Sequence, residues 1–277
     1  MLEKIRHSIV YQYIAELIVR YRNDDLASMS AQVTYYLILA FPPFLFFLIH
    51  LLSFSHLSNR ILIANFNLIL PDDTANLVKS LLDQTAQDKS GALLLLGIIA
   101  SLWAASQGMS AVMRGLNHAY DVKETRSFIK RTSIALVSTA GVSMIIIFSF
   151  FMIVFGRTAG SYIFALAGEQ TIFYKIWPFF RYSISLAFLF ASFYVIYKYL
   201  PNRNPESNHV MVGTIFATVS WVSASVLFSF YVDRFANFGN IHGNLAGIFA
   251  LIIWLYISTL IFLLGGELNA IRSKDRS

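Results

Sequence analysis

The sequence predicts an all-α polytopic membrane protein: a single domain, residues 1–277, of six transmembrane helices. An N-terminal amphipathic helix and an extracytoplasmic helical cap between the first two spans complete it. Two observations predict this. Apolar residues make up 57% of the chain and charged ones 13%, with a mean hydropathy of +0.61, too few charges to cover the surface of a water-soluble domain this size. The apolar residues also gather in runs of about 20, the length that crosses a bilayer as a helix.

The first apolar positions are spaced as a helix face and do not form a continuous hydrophobic block before a cleavage site, so no signal peptide is expected. Val10, Tyr13, Ile14, Leu17, Ile18 and Tyr21 recur at three- and four-residue intervals, flanked by Lys4, Arg6, Arg20 and Arg22. Residues 8–22 thus read as an amphipathic helix, covered either by the membrane interface or by the protein's own spans.

The first span, 31–54, carries Pro42 and Pro43 near its middle. Proline lacks an N–H, so the carbonyls of Ile38 and Leu39 lose their helical donors, and a kink or break is expected there. In a bilayer such oxygens turn to protein or to a wet cavity, which makes Tyr35, Tyr36, Pro42, Pro43 and Gln107 candidates for a substrate path. A passive kink is the plainer alternative. Between 55 and 90 the chain turns polar: Pro71 stops a short apolar segment, Ile61 to Leu70, and Asp72 or Asp73 caps a second helix whose Leu77, Val78, Leu81, Leu82 and Thr85 share a face. This is the cap.

The second span, 91–111, runs into a polar, arginine-bearing elbow. Gly97, Ser101, Ala104, Gly108, Ala111 and Gly115 recur at spacings of four, three, four, three and four. That stripe of small residues is expected to pack helices, because small side chains let backbones approach closely in lipid. Trp103, Gln107, Asn117 and Tyr120 add polar groups that need partners. Asp121 with Glu124 three residues later reads as a capping box for a helix carrying Arg126, Lys130 and Arg131 into the third span, 134–155. The fourth span, 179–199, opens behind Pro178, and Pro201 and Pro205 keep the next loop out of helix. In the fifth, 210–232, Thr214, Thr218, Trp221 and Ser225 tint one face as an interhelical contact. The sixth, 245–264, ends before Gly265-Gly266, a packing or helix-end feature.

With the N-terminus inside, Lys and Arg number 14 on the cytoplasmic side against 7 outside, which places both termini in the cytoplasm of a multi-pass cell-membrane protein. Arg114, Asn117, Tyr120, Arg126, Glu267 and Asn269 then form an inner-face polar cluster, in which Glu267 is expected to pair with Arg114 or Arg126. The net charge of +6 is scattered along the chain, so nucleic acid is not an expected partner. The chain has no cysteine, and its six histidines are isolated from one another in sequence. No catalytic residues, metal site or cofactor are expected; a phosphate-cradling Gly-rich loop with lysine is also missing.

Several stretches together resemble the YihY/BrkB family of bacterial inner-membrane proteins. They are AQVTYYLILAFPP from Ala31 to Pro43, LWAASQGMSAVMRGLNHAYDVKETRSFIK from Leu102 to Lys130, and YLPNRN from Tyr199 to Asn204, with Trp221 and Tyr231. The ending, Trp254-Leu255-Tyr256 through Gly265-Gly266-Glu267-Leu268-Asn269-Ala270, completes the set. The resemblance implies six spans, a cytoplasmic-membrane location and a former label as ribonuclease BN, a nuclease assignment regarded as mistaken. One departure is His242, where the family commonly shows tyrosine before the glycine turn that enters the last span.

Three function classes follow. The first is a transporter or flippase of a lipid or amphipathic envelope solute, with membrane lipids as partners. A secondary ion or solute transporter is the second, although Glu267 is its sole candidate for an intramembrane carboxylate. The third is an envelope scaffold that moves nothing. Cargo and oligomeric state are not legible in the residues.

Overall fold

The computed structural model describes residues 9–54, 91–145, 148, 170–235 and 245–274. Among them the regular structure is helical, in seven helices, with no strand. These are α1 (Ile9–Asn23), α2 (Leu26–Phe54), α3 (Gly91–Ala119), α4 (128–145), α5 (Gln170–Tyr199), α6 (Ser207–Phe235) and α7 (Leu245–Lys274). By length and composition, Gly91–Ala119, Lys175–Tyr199, Ser207–Val232 and Phe249–Lys274 can cross a membrane. The expected cap, the end of the third span and His242 lie outside the described residues.

The chain divides into two compact units, Met1–Tyr35 with Ser106–Ser277, and Tyr36–Ala105. In the larger unit α6 and α7 pack most extensively against each other, α5 packs on α6, and α1 lies on α7. Its interior is lined by Leu26, Met113, Leu116, Tyr197, Leu200, Val210, Leu263 and Ile271. Large apolar side chains elsewhere on these helices, among them Val226, Leu227 and Phe249, are exposed, the distribution of a protein whose outer solvent is hydrocarbon.

Glycine makes a close crossing of α6 and α7. A Cβ on Gly213 would lie 1.9 Å from the carbonyl oxygen of Gly265, and one on Gly265 would lie 2.4 Å from the Tyr197 hydroxyl. Gly266 meets Leu116, where a Cβ would come within 2.4 Å of Cδ2. Gly265-Gly266 therefore lies inside α7, which runs unbroken to Lys274, because the pair admits neighbouring chains. Beside it the buried Tyr197 stacks on Phe262 at 4.5 Å and donates its hydroxyl to the Phe262 carbonyl at 2.6 Å.

Several local expectations need correction. Asp121 does not start a helix; it closes α3. Its φ of 52° is left-handed, and Asp121 N–H to His118 O (2.9 Å) with Val122 N–H to Asn117 O (2.9 Å) makes a Schellman C-cap around it. The next helix starts instead behind Ser127, whose hydroxyl accepts the Lys130 N–H, and Arg126 stays in the loop. α5 begins at Gln170, so Pro178 lies inside it and not in its first turn. α2 continues as helix through Pro42 and Pro43 without a break, since a helix in lipid tolerates the lost N–H better than exposed backbone.

Candidate functional site

α1 is amphipathic in a divided way. Tyr13, Leu17, Arg20 and Tyr21 are half-buried toward the protein, whereas Tyr11, Ile14 and Ile18 form an exposed apolar stripe. The Tyr13 hydroxyl accepts from Arg272 of α7 at 3.3 Å, which ties the first helix to the last. One face of α1 thus docks on the protein's own last helix while another remains apolar and open.

The docked face carries Arg20, whose guanidinium joins three helices. Nη1 donates to Glu267 Oε2 of α7 and to the Ala119 carbonyl at the end of α3, both at 3.0 Å, and Nε donates to Glu16 of its own helix at 3.1 Å. The Ala119 carbonyl belongs to the last turn of a helix, where oxygens lack intrahelical donors and favour a cation. Burial opposes the charge on Arg20, but the carboxylates of Glu267 and Glu16 outweigh it and leave the guanidinium's pKa raised. The expected pairing of Glu267 with Arg114 or Arg126 is therefore corrected. Arg20 takes that place because α1 packs on α7 and turns its inner face to the carboxylate.

Glu267 is completely buried, and only one of its oxygens is used. Among the described residues Oε1 has no hydrogen-bond donor. Asp24 follows one residue beyond α1. Asp24 Oδ1 in turn lies 3.3 Å from Nδ1 of His118, a side chain half open to solvent.

A second polar knot fastens two loops. Asn117 donates through Nδ2 to Glu124 Oε2 at 2.9 Å and accepts the Asn202 N–H through Oδ1 at 2.7 Å. Arg126 grips Glu124 with both Nε and Nη2 at 2.7 Å and donates onward to the Leu200 carbonyl at 3.1 Å. The hydrogen bond from Arg126 holds the Glu124 carboxyl at a pKa of about 2 despite the opposing effect of burial. Asn202 also donates to the Lys123 carbonyl and the Thr125 hydroxyl. Tyr120 is buried beside this knot with Arg203 over its ring at 5.8 Å, and burial raises the phenol's pKa.

The other candidates fall apart in space. Asn269 is buried and accepts the Gly213 N–H through Oδ1 at 2.6 Å, fixing the α6–α7 crossing. Arg114 is exposed and donates to Gln32 at 3.1 Å. Of the six residues expected at one inner-face cluster, Asn117 and Arg126 share the Glu124 knot with Tyr120 beside it, whereas Arg114, Glu267 and Asn269 each make a contact elsewhere. Along α3, Gly97, Ser101, Gly108, Ala111 and Gly115 are buried and Ala104 is half-buried; a Cβ on Gly115 would lie 2.8 Å from Leu263. Tyr35 and Pro42 are exposed, and Tyr36, Pro43 and Gln107 are half-buried. On α6, Thr214 and Thr218 bond back to their own helix, and Trp221 makes the interhelical bond, to Ser258 at 3.1 Å. Among the described residues no group of three or more His, Asp or Glu side chains could hold a metal ion.

Sequence reasoning missed Arg20, Asp24, His118 and Asn202 as site residues. Arg20 had a visible signal: it continues the stripe of Tyr13 and Leu17, where a charge must find a partner once the stripe is covered. Asn202 had none, because its contacts come from a loop more than seventy residues away in sequence.

Comparison with known proteins accords with these landmarks. The family described as Virulence factor BrkB matches residues 17–277. A Bacillus subtilis (strain 168) protein named as ribonuclease-like, YfkH, is 37% identical over 95% of this chain and 96% of its own length. A UPF0761 membrane protein of Pseudoalteromonas atlantica is 26% identical over 90% of this chain and 81% of its own. One from Chromohalobacter salexigens is 26% identical over 95% of this chain and 63% of its own. No solved structure matches. With a family match that runs from within α1 to the C-terminal residue, this chain belongs to the BrkB family of multi-pass membrane proteins.

Proposed function

We propose that this chain is a six-span transporter of the cytoplasmic membrane, both termini inside, that moves a lipid or another amphipathic solute. The observation that carries the reading is the Arg20–Glu267 pair, which puts a fully buried carboxylate in the last turns of the apolar helix α7. A buried ion pair contributes little net stability against an apolar replacement, and ionisable groups at membrane depth are characteristic of solute paths and gates. Arg20 takes the part of gate cation opposite Glu267, joining α1, α3 and α7 at one end of the larger unit. The path candidates are Tyr35, Tyr36, Pro42, Pro43 and Gln107, since the carbonyls of Ile38 and Leu39 lack main-chain N–H donors and can bind polar groups. Membrane lipids are the expected partners. The ribonuclease-like name of the Bacillus relative is not carried over: His118 and His209 each stand by a single carboxylate, Asp24 and Glu206 respectively.

The test is phospholipid translocation in liposomes holding the purified full-length chain, with a fluorescent headgroup label quenched from outside. Wild type is expected to bring inner-leaflet label out several-fold faster than protein-free liposomes. Pro42→Ala with Pro43→Ala should slow this, and Arg20→Gln should alter it. Wild-type liposomes no faster than protein-free ones, with anionic and zwitterionic labels alike, would overturn the proposal. A second reading, ion-coupled solute transport, is favoured by the buried Glu267 carboxyl and calls for a pH- or sodium-dependent flux abolished by Glu267→Gln.

A further inference from the structure

We propose that Phe128, Ile129, Lys130 and Arg131 form a surface site for an anionic phospholipid of the bilayer, the two cations on its phosphate and the two apolar side chains among its acyl chains. The proposal does not depend on any cargo being moved. Phe128 and Ile129 are 68% and 77% exposed, and two large apolar side chains held side by side in this way call for an apolar cover. They are also firmly placed. The Ser127 carbonyl accepts the Arg131 N–H at 2.9 Å and its hydroxyl accepts the Lys130 N–H at 3.4 Å, so the turn that presents them is fixed as helix.

Continuity along α4 identifies the cover as lipid. Ile129, Ser133, Val137, Gly141 and Met144 follow one another at spacings of four, four, four and three, and all five are exposed, whereas Ala135 and Thr139 on the other side of the helix are buried. Val137 and Met144 are each 71% exposed. In a multi-pass membrane protein such a face lies against acyl chains, and Ile129 is its last member before the polar loop. The edge of the hydrocarbon therefore falls at the first turn of α4. Long basic side chains at that level keep their stems in the apolar layer and their charges among the headgroups.

Charge selects the lipid. Lys130 is exposed, and the Arg131 guanidinium lies over the Phe128 ring, 5.7 Å from its centroid. A guanidinium stacked on a ring still directs its N–H donors outward in its own plane, which suits two oxygens of one phosphate. The carboxylates of the preceding loop are taken, Glu124 by Arg126 and Asn117 and Asp121 by Lys274, and none follows in the sequence until Glu169. Among the described residues neither Lys130 nor Arg131 has a carboxylate partner. A headgroup with net negative charge, such as phosphatidylglycerol, supplies the anion that the protein does not. Phosphatidylcholine carries its own cation beside the phosphate and gains less.

Native mass spectrometry of the full-length protein released from detergent micelles tests this, with dioleoyl phosphatidylglycerol or dioleoyl phosphatidylcholine titrated in. Wild type is expected to retain phosphatidylglycerol several-fold more than phosphatidylcholine. Lys130→Gln with Arg131→Gln should bring the two lipids level, and Arg131→Lys, which keeps the charge but loses the planar fork, should fall between. Arg22→Gln with Arg203→Gln removes two exposed cations elsewhere and should leave the preference unchanged. Equal retention of both lipids by wild type overturns the proposal. So does a preference that survives the loss of Lys130 and Arg131, or one that falls as far with the Arg22 and Arg203 pair, which would make it an effect of net charge alone.

Discussion

Glu267, a carboxylate with no exposed surface, receives Arg20 Nη1 at 3.0 Å across 247 residues of sequence. The bond ties the chain's first described helix to its last, and the same Nη1 also donates to the Ala119 carbonyl at the end of α3. Removing one partner of a buried pair leaves the other uncompensated, which costs on the order of 3 kcal/mol. Arg20→Met alone is therefore expected to lower the unfolding midpoint in mixed detergent micelles sharply. Arg20→Met combined with Glu267→Leu should recover most of the loss, because the apolar pair has no charge to strand. Additive losses in the double variant would show that the two side chains act independently.

The α6–α7 crossing makes a steric prediction. Gly213→Ala would place Cβ 1.9 Å from a backbone oxygen and 2.5 Å from Asn269 Oδ1, and backbone cannot rotate aside. The helices have to separate, at a cost of about 1–3 kcal/mol or more. Gly141→Ala, where nothing lies within 4 Å, is the matched control and should be neutral or slightly stabilising. Thermal unfolding of the two variants side by side checks the contrast.

Helix identity was legible wherever composition alone decides it, as in α3, α6 and α7, whose apolar runs leave no other structure in lipid. Ends were less legible. Asp121 and Glu124 fit a capping box by spacing, but the competing requirement, a left-handed residue to finish α3, took Asp121 for itself. The division of α1 between docked and exposed faces depended on what covers the helix, and the spacing of Tyr13, Ile14, Leu17 and Ile18 is the same under lipid as under protein. Arg20 sits on the Tyr13–Leu17 stripe and so called for a partner, but that partner lies more than two hundred residues away, and charge alone offered Glu267 to Arg114 and Arg126 equally well.

The Glu124 carboxyl carries a pH prediction with a definite sign. Hydrogen bonding to Arg126 lowers its pKa from an ordinary 4.5 to about 2 in the folded protein. A carboxylate lowered on folding stabilises the fold fully above its unfolded pKa, and that contribution drains away as pH falls from 4.5 through about 2. Asp121, lowered by its hydrogen bond to Lys274, acts in the same direction. Glu124→Gln should therefore be clearly less stable than wild type near pH 6. The gap between them should narrow as the pH drops below 4.5, as read by unfolding midpoints over that range. A constant gap would mean that Arg126 does not distinguish the ionised group.

Asn117 couples the loop after α3 to the loop after α5, and its removal should be felt in both. Asn117→Leu preserves approximate side-chain volume but strands the Asn202 N–H, which now donates to Oδ1 at 2.7 Å, and takes a donor from Glu124. Each group left unsatisfied in a part-buried setting costs about 1–3 kcal/mol. Since Arg126 still holds Glu124 and reaches Leu200, the loops should loosen without dissolving. Hydrogen–deuterium exchange should rise in 120–127 and 200–206 together, while the α6–α7 crossing, held by Asn269 and the glycine contacts, stays protected. If only the first loop responds, the Asn117–Asn202 bond is not what joins them, and the connections that remain are Arg126 to the Leu200 carbonyl and Asn202 Nδ2 to Lys123 and Thr125.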